Sequence, residues 1–198
     1  YIEANSYLNN KIGDYKIDVA EVSALTNSPT EALLWENAAW NISDSLDVYF
    51  ADSGVVVSDG TRSTGFSQAE EISIMGILDN VTNFANIEFQ TIETQVGADI
   101  RFAHADLGSG LLGYMSPQNY SSNEGLGVLT NSSTYWNDTS MQVGGFMYGV
   151  IVHEVGHGLG LAHPHDVGGG SQVMEGVLSP GDRGDYGQMN QSVYTVMS

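Results

Sequence analysis

Four of the chain's five histidines fall in the thirteen residues HEVGHGLGLAHPH, positions 153 to 165. His153 and His157 are four apart, so on a helix their imidazoles leave one face about a turn apart. Two nitrogens at that separation can reach one tetrahedral ion at roughly 2.0–2.1 Å. Glu154 lies about 100° around the helix from His153. That suits it to take a proton from a water on the ion rather than to bind the ion itself.

A third protein ligand is needed, and a straight helix would carry the chain past the ion. Gly160 can take the left-handed conformation that ends a helix and reverses the chain. His163 then returns to the same ion, and Pro164 blocks any helical continuation. Three neutral imidazoles leave one coordination position open, as in a catalytic rather than a structural zinc site. The pattern H-E-x-x-H-x-x-G-x-x-H fixes five positions, and its chance occurrence in such a chain is on the order of 1 in 10⁵. Three unpaired histidines on an apolar helix would also be costly without a partner. These parts fit amide hydrolysis without a covalent intermediate. Zinc lowers the pKa of bound water towards about 7 and polarises a carbonyl, while Glu154 moves the proton to the leaving amine.

The elements that must position these groups follow from periodicity. MQVGGFMYGVIVHEVGHGLGL (141–161) is apolar nearly all round, as a buried helix is. An earlier helix is predicted over 65–85, with Ser67 as its cap and Glu70 completing a capping box. Its apolar stripe is expected to be Ile72, Met75, Ile77 or Leu78, Val81 and Phe84. SLDVYFA (45–51), IEFQTIE (87–93) and ADIRFAHA (98–105) alternate as strands, and GLLGYMS (110–116) and LGVLTNS (126–132) are shorter candidates. EALLWENAAWN (31–41) fits a short helix or turn. Residues 1–30 are polar and weakly patterned, with little strand or helix expected. A strand, a helix and then several strands give an α+β class with a mixed sheet and helices packed on it.

HEVGHGLGLAHP resembles the zinc signature of the metzincin metallopeptidases, most closely their serralysin-like branch, and the order of elements from SLDVYFA onward resembles that family too. The likeness covers about residues 40–198. It implies a zincin-like fold: a twisted, mostly parallel five-stranded sheet, two long helices, and a small C-terminal lobe after Gly160. It divides the chain into an N-terminal extension, 1–40, and a catalytic domain, 41–198, that stops just after the Met-turn. The Met-turn is matched by YTVMS, with Met197 as the methionine beneath the zinc. The family's tyrosine two positions after that methionine has no counterpart before Ser198, and its G-G-x-G-x-D calcium repeats are missing. The likeness assigns the substrate-binding edge strand to Leu112, Gly113 and Tyr114, where an extended peptide could pair through main-chain hydrogen bonds. It implies a secreted bacterial zinc endopeptidase acting on proteins or peptides. A proteinaceous inhibitor and a C-terminal calcium-binding repeat domain are the further partners it suggests, and Ca²⁺ a second ion.

Bulk properties agree with that class. The chain has 198 residues, enough for one domain with an ordinary core. Its 24 acidic residues against 5 Lys plus Arg, net −19, disfavour nucleic acid as a partner. No apolar run is long enough to span a membrane, no signal peptide is visible, and Tyr1 in place of Met predicts a processed or trimmed chain. No Cys is present, so stability must come from the core or from bound ions. His165 and Asp166 are expected as an exposed loop pair, and His104 as packed or cleft-lining. DVGGGS and GDRGDYG offer oxygen ligands suited to calcium, with flexible acidic loops as the competing reading. Two other functions compete with the peptidase: a non-catalytic module of the same fold, and a zinc hydrolase for something other than protein.

Overall fold

Strand order decides where the histidines can sit. The computed structural model describes residues 2–4, 17–19, 29–40, 45–185, 187–192 and 194–198. Two short strands, β1 (Ile2–Ala4) and β2 (Ile17–Val19), pair antiparallel in a sheet of their own. The weakly patterned N-terminus gave no sign of them. The main sheet contains β3 (Leu46–Phe50), β4 (Phe89–Thr91), β5 (Ile100–Ala105), β6 (Gly113–Met115) and β7 (Leu126–Thr130), in the order β4-β3-β5-β7-β6. Four strands run parallel, and β6 lies antiparallel to β7 at one edge.

The central strands β5 and β7 are buried along nearly their whole length, as parallel strands covered on both faces must be. Period-two alternation splits their side chains between two clusters. Val48, Ile100, Phe102 and Leu129 face the main core with both helices. Tyr49, Ala103, Ala105 and Val128 form a smaller cluster with Val57.

Helix α1 (Gln68–Thr82) starts as its sequence requires. The Ser67 hydroxyl accepts from Glu70 N–H, and Ser67 N–H donates to Glu70 Oε2 at 2.6 Å, a capping box. Its buried face is Ile74, Ile77, Leu78 and Val81, spaced i, i+3, i+4, i+7. The expected stripe is therefore partly wrong. Ile72 is 65 % exposed and Phe84 82 % exposed. Ile72 lies about 200° around the helix from Ile74, and Phe84 falls beyond the C-cap, Asn83.

Helix α2 (Phe146–Gly158) packs on β6, β7 and α1, burying Met147, Ile151 and Val155 in the main core. It ends in a Schellman motif. Leu161 N–H donates to the Gly156 carbonyl (2.8 Å) and Gly160 N–H to the His157 carbonyl (2.9 Å), with Gly160 at φ +96°. A side chain at 160 is barred by space as well, since its Cβ would lie 2.5 Å from the Ala38 carbonyl oxygen. From Leu161 to Ser198 the described residues form turns and irregular chain, without a helix or strand element.

The end of the N-terminal stretch does not hang free. A 3-10 turn (Glu31–Leu33) leads into a segment pinned to the chain after α2. Ala162 N–H donates to the Leu33 carbonyl, Trp35 N–H to the Gly160 carbonyl and Glu36 N–H to the Gly169 carbonyl, at 2.8–2.9 Å. The Trp40 indole N–H caps the Gly158 carbonyl at 2.8 Å, one of the acceptors a helix end leaves open.

Candidate metal centre

His153 and His157 stand one turn apart on α2, and the reversal at Gly160 brings His163 back to them. His163 Nε2 lies 3.0 Å from His153 Nε2 and 3.1 Å from His157 Nε2. Each ring is anchored through its other nitrogen to an oxygen. His153 Nδ1 meets the Val196 carbonyl at 2.7 Å, His157 Nδ1 the Leu161 carbonyl at 2.8 Å, and His163 Nδ1 Asp166 Oδ2 at 3.1 Å. An oxygen acceptor requires a hydrogen on Nδ1, so in the neutral tautomer each Nε2 carries a lone pair.

Three lone pairs aimed at one another repel unless a cation lies between them. Ligands bonded to one zinc at 2.0–2.1 Å would be about 3.3 Å apart at tetrahedral angles, close to the separations seen. Burial lowers the pKa of His153, and that of His157 to about 4, so both stay neutral as ligands must. Oxygen-anchored, neutral imidazoles are the donor set and outer shell that zinc takes.

Asp166 is itself held. Its Oδ1 accepts Gly168 N–H at 2.8 Å. Burial acts to raise its pKa, but the hydrogen bonds from Gly168 and His163 outweigh that and keep the carboxyl below its ordinary value. His165 stacks on His163, with centroids 4.8 Å apart and planes 15° from parallel. The expected exposed pair is thus one exposed carboxylate engaged with His163 and one ring packed against it.

Glu154 is 7 % exposed, and burial raises its carboxyl pKa to about 7. It lies against β6, where a Cβ on Gly113 would come 3.1 Å from Glu154 Cγ. Met197 is fully buried, and its sulfur would lie 2.8 Å from a Cβ on Gly156, within the signature itself. The residue before it, Val196, supplies the carbonyl that anchors His153.

A groove of about 860 Å³ runs over these groups. It is lined by β6 with the preceding Leu111 and Leu112, by Phe146 and Val150 of α2, and by His163, Gly169 and Trp35. Leu112, Gly113 and Tyr114 all border it, but their main chains differ in use. Thr130 N–H bonds the Leu112 carbonyl and Ser116 N–H the Leu126 carbonyl. Given the Tyr114–Val128 register, antiparallel alternation turns the main-chain groups of Leu112 and Tyr114 towards β7, and those of Gly113 and Met115 to the open edge. Tyr114 donates its hydroxyl to Asp59 Oδ2 at 2.5 Å, tying the edge strand to the loop after β3.

Trp35 was missed by the sequence reading, which placed it in an extension. Its indole meets the His157 ring at 5.7 Å and 87°. A signal was available: two tryptophans five apart in the apolar segment EALLWENAAWN are costly to leave in water. His104 is a packed residue away from the groove. Its ring packs against both Phe66 and Trp136, with its nitrogens facing the Gly65 and Thr130 carbonyls. Among the described residues, the groups of three ligating side chains all contain His163. DVGGGS contributes Asp166 to one of them, and GDRGDYG contributes none.

No protein-family model matches the sequence, and no curated protein does. Among solved structures, one titled "Structure of myroilysin" matches at 21 % identity with a TM-score of 0.46. The match covers 67 % of this chain and 55 % of that one, so it spans little more than half of that chain's length.

Proposed function

We propose that this chain is a zinc-dependent endopeptidase, with His153, His157 and His163 as zinc ligands and Glu154 as general base. The observation that carries the reading is the convergence of three Nε2 atoms whose partner nitrogens are all anchored to oxygen. A zinc held there would supply Lewis acidity to a water and to the substrate carbonyl.

The remaining steps belong to the chain. Burial pushes the Glu154 carboxyl up to about 7 in the metal-free chain, and a zinc beside it would draw it down towards the carboxylate that a general base needs at neutral pH. Its carboxylate takes the proton of the attacking water, and the resulting acid delivers it to the leaving amine. Gly113 and Met115 offer outward main-chain groups to an extended peptide, which aligns the scissile bond over Glu154. Those contacts are shared by all peptides, which favours proteins or peptides over other hydrolysable substrates. Asp166 fixes the tautomer and orientation of His163, and Met197 gives the signature helix a buried apolar support.

Export from a bacterial cell and a dependence on calcium enter this proposal through the family resemblance alone. The decisive test is zinc analysis combined with casein digestion, with and without a chelator, on the wild type and Glu154→Gln. One zinc per chain in both proteins, with activity in the wild type only, supports the reading. Casein cleavage that survives full removal of zinc overturns it.

A further inference from the structure

We propose that Trp35 is a specificity-determining residue: its indole forms a wall of the subsite beside His157 and selects substrates with a large apolar side chain there, aromatic above all. This rests on the peptidase reading above.

The segment carrying Trp35 is fastened at the site rather than draped over it. The Trp35 and Glu36 amides donate to the Gly160 and Gly169 carbonyls, both at 2.8 Å. A Cβ on Gly169 would come within 2.6 Å of the indole, so the bare backbone at 169 is what lets the ring lie there. Tyr120 packs on the indole at 4.9 Å and 79°. Held from these sides, Trp35 still keeps part of its surface in the groove. A fixed, partly exposed indole offers a large apolar contact with little ordering left to be done when substrate arrives.

Charge points the same way. Among the described residues no Lys or Arg lines the groove, and Asp166 is one of its lining residues. An acidic substrate side chain there would meet the Asp166 carboxylate without a basic side chain to offset it. Small side chains would leave the indole uncovered. Large apolar ones cover it.

The test is a set of peptides varied one position at a time around a cleaved bond, with products read by mass spectrometry. The wild type should prefer Phe, Tyr or Leu at one position beside the bond and discriminate against Asp and Glu there. Trp35→Ala should lower kcat/KM for those preferred peptides by about 10–100-fold and change it little for peptides with Ala at that position. Trp35→Leu keeps apolar volume if the alanine variant fails to fold. It should shift the preference from aromatic to aliphatic side chains. Zinc affinity should stay within a few-fold of wild type in both. An unchanged preference, or a uniform loss across all peptides with weakened zinc binding, overturns the proposal and leaves Trp35 a support for His157. A wild type that holds zinc but cleaves no peptide overturns the peptidase reading itself.

Discussion

Asp166 grips His163 from behind: its Oδ2 lies 3.1 Å from His163 Nδ1, while its Oδ1 is fixed by Gly168 N–H at 2.8 Å. His163 is the proposed ligand that does not stand on α2, so it depends most on an external anchor. Replacing Asp166 by Asn keeps the shape but removes the charge that favours a hydrogen on Nδ1. Zinc affinity is expected to fall about 10–100-fold, as measured by competition with a chromophoric chelator. Unchanged affinity would show that the carboxylate does not orient the ring.

Glu154→Gln separates holding the metal from using it. The amide is nearly isosteric and cannot accept the water's proton. Turnover should drop by on the order of 10²–10⁴-fold, with zinc content and melting temperature close to wild type. Substantial residual activity would move the base elsewhere.

The metal-free protein should show a pH signature. Burial drops His157 from 6.5 to about 4. Its contribution to stability is present above 6.5 and is lost as pH falls towards 4. Burial lifts Glu154 from 4.5 to about 7, so its contribution is present below 4.5 and is lost as pH rises through 7. Between 4.5 and 6.5 the two slopes oppose each other. Glu154→Gln removes one of them, so the chelated variant should gain stability with rising pH across that window. The gain relative to wild type is about 3 kcal/mol, read from urea midpoints at pH 4.5, 5.5 and 6.5. Parallel profiles would contradict a buried, proton-retaining Glu154.

Gly113→Val tests the approach of α2 to the edge strand. A Cβ there meets Glu154 Cγ, Leu129 Cδ2 and the Val128 carbonyl at 3.1–3.2 Å, and a branched side chain adds bulk. Displacement of Glu154 by even 1 Å can cost about 10²-fold in rate. The variant should bind zinc and lose most of its casein activity.

Much of this was readable in the sequence because short-range rules produced it. The capping box of Ser67 and Glu70, the i,i+4 histidines and the glycine that ends α2 are all local, and the structure has each in place. The chain reversal at Gly160 was legible for the same reason, since the left-handed φ that ends the helix favours Gly. What could not be read depended on partners distant in sequence. Ile74 rather than Ile72 faces the core because the sheet, not the helix, sets the rotation of α1. Trp35 reaches the site through pairing with residues 160 and 169, more than a hundred positions away, and no periodicity announces that. The outward turn of Met115 in place of Leu112 and Tyr114 depends on the β6–β7 register, where a one-residue slip would reverse every main-chain direction.

The central claim is that three imidazoles from two parts of the chain share one ion. X-ray absorption at the zinc edge on the purified protein, paired with His163→Ala, tests it most directly. The account predicts one zinc per chain, three imidazole nitrogens at about 2.0–2.1 Å and loss of one of them in the variant. A wild-type chain that takes up no zinc at neutral pH, or a variant whose zinc environment is unchanged, would contradict it.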